Sequence, residues 1–186
     1  MAQPQTLPHI GDLRSSSAGA QTTALDLLFE PSPAIHSLLL PVVRVAEYDS
    51  YAGLIDACHE RLRRLRPGDA AAADEHLLHS VVGSHPRLGA AKVPSAQSAA
   101  EQASLQQPGP GDGAPLAALN AEYEARFPGL RYVVFVAGRP RAEIVRDMRA
   151  RIERGDYARE VDAALQAMRD IAQDRASKLP QQAPQT

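Results

Sequence analysis

The feature that most constrains this chain is a long apolar stripe of helical period over residues 156–179. Val161, Ala164, Leu165, Met168, Ile171 and Ala172 recur at steps of three and four. That spacing puts them on one face of a single helix, which must be covered by other elements. The helix is expected from Asp156 onward, and Gly155 separates it from a helical stretch over 140–154. Shorter stripes of the same period occur upstream, in Leu54, Ile55, Cys58, Leu62 and Leu65 and in Leu77, Leu78, Val81 and Val82. Aromatic residues make up only 4% and Trp is absent, so Leu, Ala, Val and Ile must fill the core. Such a mixture favours helix packing over a β-sandwich. The expected fold is all-α, a compact multi-helix single domain, for which 186 residues supply enough core.

Further helices are expected at 25–29, at 33–44 behind Ser32 with Pro33 in the first turn, and from Asp49 or Ser50 onward. Others follow at 70–82, 95–105 and 115–127, with Gly83 closing the first of these in a left-handed conformation. Pro and Gly between Gln106 and Gly113 block any regular element there. The run Tyr132-Val133-Val134-Phe135-Val136 has strand composition but no partner strand. It reads as a buried extended segment or a helix imposed by its surroundings. The polar residues 1–21 and 180–186 read as flexible arms around a helical domain at 22–179.

Several functional classes are disfavoured. The net charge is −2, whereas phosphate neutralisation gives nucleic-acid binders a basic excess. The basic run Arg61–Arg66 contains leucines at helical spacing and reads as the solvated side of an amphipathic helix. No apolar stretch is long enough to span a bilayer, and the first residues lack an apolar signal core. Cys58, the single cysteine, lies in an apolar stripe and reads as a small buried hydrophobe. The triplet Ser177-Lys178-Leu179 matches a peroxisomal address but is followed by seven residues, so it reads as coincidence. The compartment expected is cytoplasmic or peroxisomal.

Three places carry candidate chemistry. Pro86 keeps His85 out of the α region just after a helix end, so the imidazole stands on a stiff support, as a proton donor requires. Ser98, Glu101 and Gln102 share one helix face. Arg175 falls on the inward stripe of the last helix, where a guanidinium needs an anionic partner or a route to solvent. On this reading Arg175 holds an unpaired charge that a ligand would neutralise. His76 and His79 are three apart, but no further metal ligands accompany them and they read as a solvated face.

Taken in order, Leu28-Phe29, His85-Pro86-Arg87-Leu88-Gly89, Ser98-x-x-Glu101-Gln102, Leu119-Asn120-x-x-Tyr123, Arg126-Phe127 and Val136-Ala137-Gly138-Arg139 resemble a known family. It is that of the decarboxylases of 2-oxo-4-hydroxy-4-carboxy-5-ureidoimidazoline (OHCU), and the likeness covers about residues 22–179. The resemblance implies an all-helical enzyme of purine breakdown that uses no metal or organic cofactor and is often a homodimer. It implies that His85 is the proton donor and that Pro86, Ser98, Glu101, Gln102 and Arg175 meet the substrate. It also implies that backbone groups of Tyr132, Val133, Val134, Phe135 and Val136 complete the pocket. The chain departs from the family pattern at Glu30–Pro33, in the loop around 108–113 and at Phe127–Tyr132.

The resemblance points to conversion of OHCU to (S)-allantoin. Two other readings stand beside it: an inactive helical interaction module with the same fold, and a lyase or hydrolase acting on a related ureide.

Overall fold

The computed structural model describes residues 5–66, 72–90, 95–105 and 115–184. Within them the chain forms α1 (Ile10–Leu13), α2 (Ala18–Leu28), α3 (Pro33–Val45), α4 (Tyr51–Arg63) and α5 (Ala72–Val82). It continues with α6 (Ala96–Gln102), a 3₁₀ turn (Ala103–Leu105), α7 (Leu116–Arg126), α8 (Arg141–Arg154) and α9 (Tyr157–Lys178). The expected all-α class holds. The loop over 106–113 lies outside the described residues.

The striped helix α9 is the axis of the molecule. Its face of Val161, Ala164, Leu165, Met168, Ile171 and Ala172 is buried, and it packs against α4 and α2. The Asp156 carboxylate caps it by accepting from the Arg159 amide at 3.1 Å. Gly155 ends α8 at φ +63, a left-handed conformation that glycine adopts without Cβ strain. The α4 stripe packs on α9, and Cys58 within it is fully buried, which pushes its thiol pKa up to about 12. No helix among the described residues is long and apolar enough to cross a membrane.

Two sequence expectations need correcting here. The flexible arm over 1–21 does not hold for its described part. Leu7 and Leu13 are core residues, and α2 starts seven residues before the helix expected at 25–29. Buried Gln21 donates to the carbonyls of Leu13 and Arg14, and Tyr51 Oη donates to the Pro8 carbonyl at 2.8 Å. Leu7 also forms an isolated parallel bridge with Gln181, so the described part of the tail is tied to this segment. A few leucines spaced without period among polar residues carry no helical signature, and burial came from contacts distant in sequence.

The second correction concerns Gly83. It follows the end of α5 but does not take positive φ. The helix instead tightens, with Ser84 and His85 amides donating three residues back to Val81 and Val82.

The segment 130–136 is non-helical and mostly buried, without a strand partner among the described residues. One of the two readings of this segment is thereby selected. Tyr132 anchors it. Its ring meets Tyr123 edge-on at 5.3 Å and lies under the Arg151 guanidinium at 5.1 Å. Its hydroxyl donates to Asp147, which also pairs with Arg151 at 2.9 Å. Beside it, fully buried Glu160 accepts from Tyr123 Oη at 2.9 Å and Arg154 at 2.8 Å.

Candidate active site

A cavity of about 390 Å³ opens between the His85 loop, α6, the extended segment and the C-terminal part of α9. That volume lies in the range of small-molecule sites. His85, Pro86, Ser98, Glu101, Gln102 and the whole run Tyr132–Val136 line it. Three segments far apart in the chain, the His85 loop, α6 and the run Tyr132–Val136, thus converge on one space. Ala137, at the end of the extended run, also lines it at φ +49, a conformation uncommon for residues other than glycine.

The His85 loop is clamped from three sides. Arg131 Nη1 donates to the carbonyls of Gly83 at 2.6 Å and His85 at 2.5 Å. Asn120 of α7 donates to the Leu88 carbonyl at 2.9 Å. Gln102 of α6 accepts from the Gly89 amide at 2.8 Å, where the chain turns at φ +70. A side chain at Gly89 would place its Cβ 2.6 Å from Leu116, so glycine alone fits. The stiffness expected from Pro86 is therefore supplied mostly by these long-range bonds.

The His85 ring is almost fully buried, and its Nε2 has no hydrogen-bond partner. An orphaned buried nitrogen in a cavity wall costs stability and points to a ligand as its partner. Burial, reinforced by the positive charges of Arg175 and Arg131, lowers its pKa to about 3. In the empty cavity the imidazole is neutral.

The side chains of α6 carry the polar wall opposite. Ser95 caps the helix by accepting from the Ser98 amide at 3.1 Å. Ser98 and Gln102 are buried and Glu101 is partly buried, and all three face the cavity as their spacing predicts. Because Gln102 spends its oxygen on the Gly89 amide, its amide nitrogen is the group left to donate to a ligand.

Arg175 is inward and buried, as the stripe predicts, and it lines a smaller neighbouring cavity with Glu101, Asp174 and Lys178 rather than the larger one. Its charge is not unpaired, so that part of the expectation is overturned. The guanidinium grips Glu101 in two-point fashion at 2.7 and 2.9 Å. It also donates to Glu30 at 2.9 Å, to Ser98 Oγ at 2.9 Å and to the Phe29 carbonyl at 2.5 Å. Although burial works against its charge, the hydrogen bonds and charges of Glu101 and Glu30 outweigh it, and the Arg175 pKa is raised. Arg175 stands behind the polar wall and holds it.

Sequence reasoning gave Glu30 no role beyond its place in the departure at Glu30–Pro33. It follows the end of α2, is only 1% exposed and joins residues 65 to 145 positions away. A further signal is an acidic residue directly after Leu27-Leu28-Phe29, where a charge enters an apolar run. Arg131 and Asn120 were likewise not assigned roles. At the mouth, Asp174 and Lys178 pair at 2.6 Å.

His79 is hydrogen-bonded with Tyr157 Oη at 2.9 Å, and no group of three or more His, Cys, Asp or Glu side chains among the described residues is placed to hold a metal.

Comparison with curated proteins finds no match. The family model described as OHCU decarboxylase, however, matches residues 14–177, from before α2 almost to the end of α9. With the fold, the clamped His-Pro loop and the polar face of α6 all inside that span, the chain belongs to the OHCU decarboxylase family.

Proposed function

We propose that this protein decarboxylates OHCU to (S)-allantoin and that His85 delivers the proton. The observation carrying the reading is the orphaned Nε2 of His85, buried in a cavity wall opposite acceptors and a donor on α6. A ureide presents N–H and C=O groups side by side, which suits Glu101 and Ser98 as acceptors and Gln102 as a donor.

The substrate needs little from its enzyme. Its C4 carries the carboxylate, and the neighbouring C5 is doubly bonded to a ring nitrogen. As the C4–carboxylate bond breaks, the electron pair forms C4=C5 and the C=N pair moves onto nitrogen. One proton added at C5, and passage of the C4 hydroxyl proton to the ring nitrogen as the C4 oxygen becomes a carbonyl, complete allantoin. The cavity's tasks are to hold the carboxylate out of the ring plane and to protonate a single face. Burial first, then the charges of Arg175 and Arg131, holds the imidazole pKa at about 3, and a bound carboxylate opposes those two charges and so favours the protonated imidazole that a donor needs. The neutral product no longer supports that charge.

The test is circular dichroism of the ureide formed when urate is oxidised to OHCU in the presence of this protein. Accelerated appearance of one allantoin enantiomer is expected. A racemic product forming at the spontaneous rate would overturn the reading. Turnover should also survive a chelator, which separates this chemistry from a metal-dependent ureide hydrolase.

A further inference from the structure

We propose that Glu30 is a positioning residue that fixes the Ser98 hydroxyl as an acceptor toward the ligand. It thereby selects substrates that present an N–H at that point. The proposal deepens the decarboxylase reading and rests on it for the identity of the substrate.

The geometry leaves Ser98 little choice. A serine hydroxyl has one hydrogen to donate and two lone pairs. Its hydrogen goes to Glu30 Oε1 at 2.5 Å, and one lone pair accepts from Arg175 Nη2 at 2.9 Å. What remains for the cavity that Ser98 lines is a single lone pair. A carbonyl or carboxylate oxygen placed there meets another acceptor and is repelled. A ureido or ring N–H finds a partner. Ser95 adds a second hydroxyl to Glu30 Oε1 at 3.0 Å, so the carboxylate is oriented from the helix cap as well.

Glu30 also holds the guanidinium that grips Glu101, and Phe29, its neighbour, supplies a carbonyl to the same group. The turn after α2 therefore controls both acceptors on the polar wall. Glu30 itself does not line the cavity, so its effect runs through Ser98 and Arg175.

Glu30 is an expensive choice if its role were only structural. Its Oε2 is buried without a partner, and Arg175 already has a two-point carboxylate in Glu101. An ionised oxygen left unsatisfied in the interior lowers stability. A neutral side chain of the same shape would fold at least as well, but its amide could donate to Ser98 and free the hydroxyl hydrogen to turn toward the ligand.

The experiment compares wild type with Glu30→Gln, Ser98→Ala and the double variant on freshly generated OHCU, together with thermal denaturation and allantoin binding measured by titration calorimetry. Glu30→Gln should keep or raise the Tm while KM rises about tenfold and kcat changes far less, the factor expected from one mismatched hydrogen bond. Ser98→Ala should raise KM similarly, and adding Glu30→Gln to it should raise KM no further. The two single variants should weaken allantoin binding in parallel.

An active wild type with an unchanged KM in Glu30→Gln would overturn the inference and leave the decarboxylase reading standing. A Tm loss with unaltered KM would assign Glu30 to folding alone and overturn it too. Wild type that does not turn over OHCU sinks the decarboxylase reading, and allantoin binding then decides the inference by itself. Equal affinity in wild type and Glu30→Gln, or no binding by either, refutes it.

Discussion

Replacing Arg175 with Met separates the structure from the simplest reading of the sequence. A cationic residue on an apolar stripe with no partner would be improved by Met, so on sequence grounds the free protein should be unharmed. In the structure the same change strips Glu30, Glu101, Ser98 and the Phe29 carbonyl of a shared donor. Glu30 is 1% exposed as a side chain and Glu101 22%, so one carboxylate is left in the interior and the other at its edge. Removing one partner of a buried ion pair costs about 3–5 kcal/mol, far more than Met recovers by its fit. Glu101 can turn toward solvent, which places the loss toward the lower end. A domain of this size loses about 2–4 °C per kcal/mol, so the Tm should fall by about 6–15 °C. Far-UV circular dichroism of the ligand-free protein at pH 7 measures it. Adding Glu30→Gln and Glu101→Gln should restore much of the loss, because the orphaned charges go with the guanidinium. A Tm for Arg175→Met equal to or above wild type would refute the argument that Arg175 is already neutralised in the empty site.

The other predictions centre on the His85 loop and its neighbours. His85→Asn should fold yet lose enzymatic turnover by about 10²–10⁴-fold, leaving racemic allantoin in the product dichroism; near-normal turnover would remove His85 from the chemistry. The same variant should alter stability against pH. With a folded pKa of about 3 against 6.5 for the ordinary group, the unfolded chain binds an extra proton between those values. The His85 contribution is thus fully present above pH 6.5 and is lost as pH falls, at up to about 1.4 kcal/mol per unit. Denaturant titrations should show this part of the slope in wild type and not in His85→Asn; identical slopes would contradict it. Gly129→Ala should cost at least about 1 kcal/mol, since φ is +84 and the new Cβ would sit 2.2 Å from the His79 ring. An unchanged denaturation midpoint would argue against that conformation.

What was legible in the sequence and what was not divides along the range of the interactions. The stripe of α9 identified both the core helix and the inward position of Arg175, because a period of three and four is a local property of one element. The shared face of Ser98, Glu101 and Gln102 was legible for the same reason, and His85 was marked by the proline beside it. Each of these side chains does stand where its local pattern puts it. The electrostatic state of the site was not legible, because it depends on pairings across the chain. Arg175 meets Glu101 across 74 residues and Glu30 across 145, and no periodicity connects them. Reading Arg175 as unpaired followed from seeing only its own helix. The same limit hid Arg131, whose contacts with the Gly83 and His85 carbonyls span 48 and 46 residues.

Segment 130–136 shows a related limit from the other side. Its β-branched residues disfavour a helix, and the backbone is not helical. Strand formation needs a second strand, which this chain does not provide among the described residues. Anchoring by the Tyr132 ring and hydroxyl takes the place of a ladder. The consequence is functional. A segment held by the side chains of Tyr132, Arg131 and Arg139, rather than by pairing along both edges, keeps part of its backbone available to the cavity it lines. With no partner strand among the described residues, the edge that a ladder would have covered is the one that borders the pocket.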